Sequence, residues 1–78
     1  MPIPKIPDDA LLSTEELSAA FAQMGAPLAV ATLESQRSRG TGAPFIKFNG
    51  RIVRYVWGQA RDWRLAQGRA LTSTSDAA

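Results

Sequence analysis

Apolar positions recur along this chain in four distinct rhythms, and each rhythm predicts a different element. Leu17, Ala20, Phe21 and Met24 repeat at the three- and four-residue spacing of one helix face. Ser13 stands three residues before Glu16, the spacing of a capping box, and Glu15 and Glu16 put negative charge in the first turn, where the helix dipole favours it. A first helix is therefore predicted from Ser13 to about Met24-Gly25. Gly25-Ala26-Pro27 reads as a turn, with glycine as the left-handed cap and Pro27 where a following helix begins. A second helix from about Pro27 to Ser38 turns Val30 and Leu33 towards the first and leaves Thr32, Ser35, Gln36 and Arg39 largely outward. Two β-prone runs, Phe45 to Phe48 and Arg51 to Tyr55, then flank Asn49-Gly50, the strongest short hairpin signal. A third helix from about Trp57 to Gln67 offers Trp57, Ala60, Trp63 and Leu65 to the core, although no good side-chain cap precedes it.

The outer segments differ in composition. Pro2, Pro4 and Pro7 deny regular structure to the start, so residues 1–10 are expected to form an extended arm. Residues 11–69 form the predicted domain, and the small, polar stretch 70–78 is expected to be a flexible tail. A chain of 78 residues supports one modest core. The expected fold class is α+β, a small winged helix-turn-helix of three helices and a two-stranded hairpin.

Composition narrows the chemistry. The chain has no cysteine and no histidine, which excludes disulfide frameworks, zinc sites built on those ligands, and His- or Cys-based catalysis. Asp8, Asp9, Glu15 and Glu16 lack a partner base or metal ligand, and a helix-start role accounts for the two glutamates. Arg39-Gly40-Thr41-Gly42 precedes a strand and lacks the lysine context of a phosphate-binding loop. No enzyme activity, metal or cofactor is expected. With no apolar run near the roughly 20 residues of a membrane span and no signal-peptide pattern at MPIPKIPDDA, the chain reads as cytoplasmic.

Charge is unevenly placed. Up to residue 33, Lys5 faces Asp8, Asp9, Glu15 and Glu16, a net of −3. From residue 34 to 69, eight cations (Arg37, Arg39, Lys47, Arg51, Arg54, Arg61, Arg64, Arg69) face Glu34 and Asp62, a net of +6. A positive half of this kind suits a surface that displaces counterions from phosphates. Each feature also has a plain explanation. Arg37 and Arg39 fit a helix C-terminus, where they relieve the dipole. Lys47, Arg51 and Arg54 fit edge strands that must not aggregate. Thr32 fits a bond to a nearby carbonyl. Both tryptophans read as core, with Trp57 more open than Trp63 to service as an exposed partner surface.

The segment Thr32 to Tyr55, TLESQRSRGTGAPFIKFNGRIVRY, resembles the excisionase-like winged helix-turn-helix proteins related to the MerR group. Their signature runs close to T-L-x-x-W-R-x-R-G-x-G-P-P-F-I-K-x-G-G-R-x-x-Y. The most specific match is Arg37-Ser38-Arg39-Gly40-Thr41-Gly42-Ala43-Pro44-Phe45-Ile46-Lys47, and the likeness extends from Leu11 to Arg69. The resemblance implies a DNA-binding protein without chemistry of its own, a recombination directionality factor that binds beside an attachment site and biases an integrase towards excision of a mobile element. It implies double-stranded DNA as partner, an integrase, and head-to-tail self-association along DNA. Thr32, Ser35, Gln36, Arg37 and Arg39 would read the major groove, and Lys47, Asn49, Arg51 and Arg54 would serve the wing. Gln36 stands where many relatives carry Trp, so a core contact is lost or a polar reader gained. The turn before the second helix is about two residues longer than usual and the wing about one. Two alternatives stay open: a small transcriptional regulator of a mobile element, and a protein-interaction module using Trp57, Phe48 and the basic face.

Overall fold

The computed structural model describes residues 4–68, in which six elements follow one another. They are β1 (Leu11–Leu12), α1 (Thr14–Gln23), α2 (Val30–Arg39), β2 (Ile46–Phe48), β3 (Ile52–Val56) and α3 (Trp57–Ala66). The three strands form an antiparallel sheet in the order β1-β3-β2, which with the three helices makes a small α+β fold. The predicted tail, 70–78, lies outside the described residues.

The local signals explain α1 well. Ser13 Oγ accepts from the Glu16 amide at 3.1 Å, and Glu16 Oε1 accepts from the Ser13 amide at 2.8 Å, so the capping box closes in both directions. Leu17, Phe21 and Met24 are fully buried. The second helix starts later than its sequence suggests, at Val30 with Ala29 as an uncapped N-cap. The reason lies in the backbone that precedes it. The Leu28 carbonyl accepts from Ser18 Oγ, and the Ala26 and Pro27 carbonyls accept from the Arg64 guanidinium, so these groups are held by α1 and α3. Leu33 is the one fully buried side chain of α2, while Val30 is half-buried.

The third helix holds two corrections. Trp57 is fully buried and Trp63 only partly so, the reverse of their expected order, and Leu65 is exposed. At about 100° per residue, Arg64 falls close beneath Trp57 on the helix wheel, whereas Leu65 is turned some 80° away. Arg64 accordingly occupies the inner face, its guanidinium carbon 6.0 Å from the centre of the Phe21 ring. Phe21 is also 6.1 Å from Trp57 and 6.4 Å from Trp63 between ring centres.

The missing cap of α3 is supplied from a distance. The Trp57 amide donates to the Ala10 carbonyl at 2.9 Å and the Gly58 amide to the Asp8 carbonyl at 2.8 Å, which satisfies two orphan donors of the first turn. The described part of the arm, residues 4–10, is therefore irregular but held to the rest of the fold. Ile6 packs on the core, Leu11 and Leu12 pair with Val56 and Tyr55, and the Asp8 carboxylate bonds Arg61 at 2.6 Å. The extra strand β1 makes the sheet three-stranded where two strands were expected.

This lock carries a pH dependence. Arg61 holds the Asp8 carboxyl below its ordinary value, first through its hydrogen bonds and then through its charge. The Ser13 amide and then the Ser13 hydroxyl do the same for Glu16. Carboxylates with depressed folded-state pKa values contribute stability above their unfolded pKa, and lose it as pH falls through the folded one. Stability is expected to be flat near neutrality and to decline from about pH 4.5 downwards, over the range set by ordinary Asp and Glu values. Denaturant midpoints measured from pH 7 to 2.5 check this, and Asp8→Asn should lose part of the slope. An identical acid profile in Asp8→Asn would remove Asp8 from the account.

Candidate functional site

The hairpin and the C-terminal end of α2 enclose the polar cleft of this domain. The registered pairs are Ile46 with Arg54, Lys47 with Val53, and Phe48 with Ile52. The connection is thus Asn49-Gly50-Arg51, one residue longer than a two-residue loop, and β3 begins at Ile52 rather than Arg51. Asn49 (φ 52°) and Gly50 (φ 72°) both take the left-handed conformation that such a turn requires, and the Arg51 amide donates to the Phe48 carbonyl at 3.0 Å. Asn49 thus has a structural reason to be there.

Register decides the faces, because successive strand residues alternate. Lys47, Val53 and Tyr55 lie on the side of α2 and the core, where Tyr55 is fully buried and its ring is 6.3 Å from Phe45. Ile46, Phe48, Ile52 and Arg54 lie on the other side. Arg54, expected beside Lys47 and Arg51, is therefore turned away from the cleft, half-buried, with its guanidinium donating to the Val53 carbonyl at 2.7 Å.

The cleft has a volume of about 480 Å³ and is lined by Arg37, Ser38, Phe45, Lys47, Gly50, Arg51 and Val53. Its narrow junction with α2 depends on Gly42: a β-carbon there would sit 3.1 Å from Gln36 Cβ and 3.3 Å from the Arg37 nitrogen. A larger residue there would require these neighbours to give by a few tenths of an ångström.

Among the residues expected to face a groove, Thr32 and Arg39 are exposed and Ser35 is half-buried. Gln36 differs from expectation. It is half-buried against the Gly42 link, and its Oε1 is buried with no hydrogen-bond partner among the described residues. Its amide oxygen is thus turned inwards beside the link rather than fully outward as expected. Arg37 is also drawn inwards. One of its terminal nitrogens donates to Thr14 Oγ1 at 3.2 Å and to the Tyr55 hydroxyl at 3.0 Å.

The ion pairs sharpen this picture. Both ion pairs among the described residues belong to Arg61, which binds Asp8 and Asp62. Arg64 is bound to the turn carbonyls and to Gln67. Arg37, Arg39, Lys47 and Arg51 have no carboxylate partner among the described residues. Of the cations with no carboxylate partner among the described residues, Arg37, Lys47 and Arg51 line the cleft, Arg39 lies outside its lining, and Arg54 faces the other side of the sheet. Ser38 and the Thr14 and Tyr55 hydroxyls belong to this site and escaped sequence reading, since nothing local couples Thr14 or Tyr55 to Arg37. Among the described residues no group of three or more acidic, Cys or His side chains could hold a metal, and no helix is long and apolar enough to cross a membrane.

Comparison with protein-family models, with curated proteins and with solved structures returned no match.

Proposed function

We propose that this chain binds double-stranded DNA as a small winged helix-turn-helix protein without catalytic activity. α1 and α2 would form the helix-turn-helix and the β2–β3 hairpin the wing. The observation that carries the reading is the cleft between α2 and the hairpin, where Arg37, Lys47 and Arg51 meet with no carboxylate partner among the described residues. Unneutralised cations on two adjacent elements suit the phosphate backbone, and the exposed Thr32 and Arg39 next to them suit base edges. The resemblance of Arg37 to Lys47 to excisionase-like proteins extends the proposal to a recombination directionality factor. Such a protein binds beside an attachment site, distorts the duplex and favours excision by an integrase, with head-to-tail contacts along the DNA.

The test is a footprint on DNA around an attachment site and its integrase gene, titrated against random competitor at two salt concentrations. Protection over spaced repeats next to the attachment core is the expected result. A single protected site over a promoter would turn the reading to a transcriptional regulator, and no protection beyond competitor would end the DNA-binding proposal.

A protein-interaction module remains the second reading, and it draws on the opposite side of the sheet. Trp57 is buried and cannot dock a partner, but Leu11, Ile46, Phe48 and Ile52 are each 40% exposed or more on the outer face. Ile46→Ser with Ile52→Ser should leave DNA binding intact if the cleft is the functional surface. A loss of DNA binding in a folded double variant would move the site to the outer face.

A further inference from the structure

Arg37 is anchored on one side and unused on the other. The terminal nitrogen that bonds Thr14 Oγ1 and the Tyr55 hydroxyl has two hydrogens, and those two bonds use both. Thr14 belongs to α1 and Tyr55 to β3, both buried, so three elements meet on one guanidinium edge. The other two guanidinium nitrogens make no hydrogen bond to a described residue. A half-buried guanidinium ordinarily finds a carboxylate; here it finds two neutral hydroxyls, with Ser38, Lys47 and Arg51 along the same cleft.

We infer that Arg37 is a phosphate-clamping residue, held by Thr14 and Tyr55 so that its free edge takes a phosphodiester phosphate at the floor of the α2–hairpin cleft. This rests on the DNA-binding reading and deepens it, making Arg37, which the family resemblance would place among the base readers, a fixed and pre-oriented phosphate contact. The guanidinium fork binds phosphate oxygens in pairs, and immobilising one edge removes the rotamer freedom that a solvated arginine would lose on binding. Lys47 and Arg51 approach the same anion from the hairpin. Thr14 and Tyr55 are positioning residues: they touch no ligand and act through Arg37.

The experiment is a double-variant cycle read by fluorescence anisotropy on several duplex sequences across a salt series. Arg37→Gln should weaken binding about 8-fold near 0.1 M salt for every sequence and lower the salt slope by about one. Arg37→Lys keeps the charge but not the fork, so it should weaken binding with little change in slope. Tyr55→Phe should weaken wild-type binding several-fold at unchanged slope, yet have no further effect in the Arg37→Gln background. Thr14→Val provides the same test should Tyr55→Phe fail to fold, as judged by near-UV circular dichroism. A Tyr55→Phe effect that is equal with and without Arg37 would reduce the hydroxyl to a fold contact and overturn the inference. So would an Arg37→Gln effect confined to particular sequences, which belongs to base reading. A second arm separates this inference from the broader one. If wild type fails to bind DNA, titration with inorganic phosphate followed by the Arg37 Nε–H resonance still decides: a saturable shift that weakens in Tyr55→Phe keeps the clamp without the DNA, and no shift, or one that Tyr55→Phe leaves unchanged, removes it.

Discussion

Phe21→Ala should lower stability by about 3–5 kcal/mol, among the largest effects expected of a single substitution in this domain. The side chain is fully buried, its ring centre 6.1 Å from that of Trp57, 6.4 Å from that of Trp63 and 6.0 Å from the Arg64 guanidinium carbon, so truncation opens a cavity among them. A chain of this size has on the order of 4–12 kcal/mol of total stability. The variant should therefore be partly unfolded or close to it at room temperature. Urea denaturation followed by the fluorescence of Trp57 and Trp63 checks this, and a midpoint lowered by about 3–5 M is expected from a slope near 1 kcal/mol/M. Leu65→Ala, exposed on the same helix as those tryptophans, should change stability by no more than about 0.5 kcal/mol. Equal losses in the two variants would mean that α3 packs through a different face.

The second large effect is on binding. Lys47→Gln combined with Arg51→Gln should weaken DNA binding about 60-fold near 0.1 M salt, or about 2.5 kcal/mol. Each lost phosphate contact removes close to one released counterion, about 8-fold at that concentration. Both side chains line the cleft and lack a carboxylate partner among the described residues, so their loss should leave folding intact. Arg54→Gln is the internal control. It carries the same charge on the same strand pair but points to the opposite face, and it should cost far less. Anisotropy titrations at three salt concentrations read all of these. An Arg54→Gln loss as large as that of the double variant would shift the binding surface to the outer side of the sheet.

Features that depend on near neighbours in sequence were legible without coordinates. The capping box of Ser13 and Glu16, the apolar stripe through Phe21 and the Asn49-Gly50 turn all arise within a few residues, where spacing and geometry are tightly coupled. Features made by distant residues were not. β1 has only two residues, too few for an alternation to appear, and exists because Tyr55 and Val56 offer it a free edge. Arg64 breaks the rule that a buried helix face is apolar, since its guanidinium lies over the Phe21 ring while donating to the carbonyls of the turn. The hairpin itself was legible, but the faces of its residues depend on Arg51 falling out of the ladder, and one residue of register separates Lys47 from Arg54. The basic site was visible as composition; which cations belong to it depends on which others the fold uses.

The carbonyls of Asp8 and Ala10 that finish α3 have a further consequence, for the order in which the molecule assembles. The start of α3 is completed by residues that precede β1, so its first turn is stabilised only when the two ends of the domain meet. Closing so long a loop costs entropy before it returns any contact, which places this step late and makes it the first to reverse. The Trp57 and Gly58 amides should therefore exchange with solvent faster than those of α1, opening as one unit with the arm while the α1–α2 pair stays closed. On that view the arm works as a latch between the two halves of the chain.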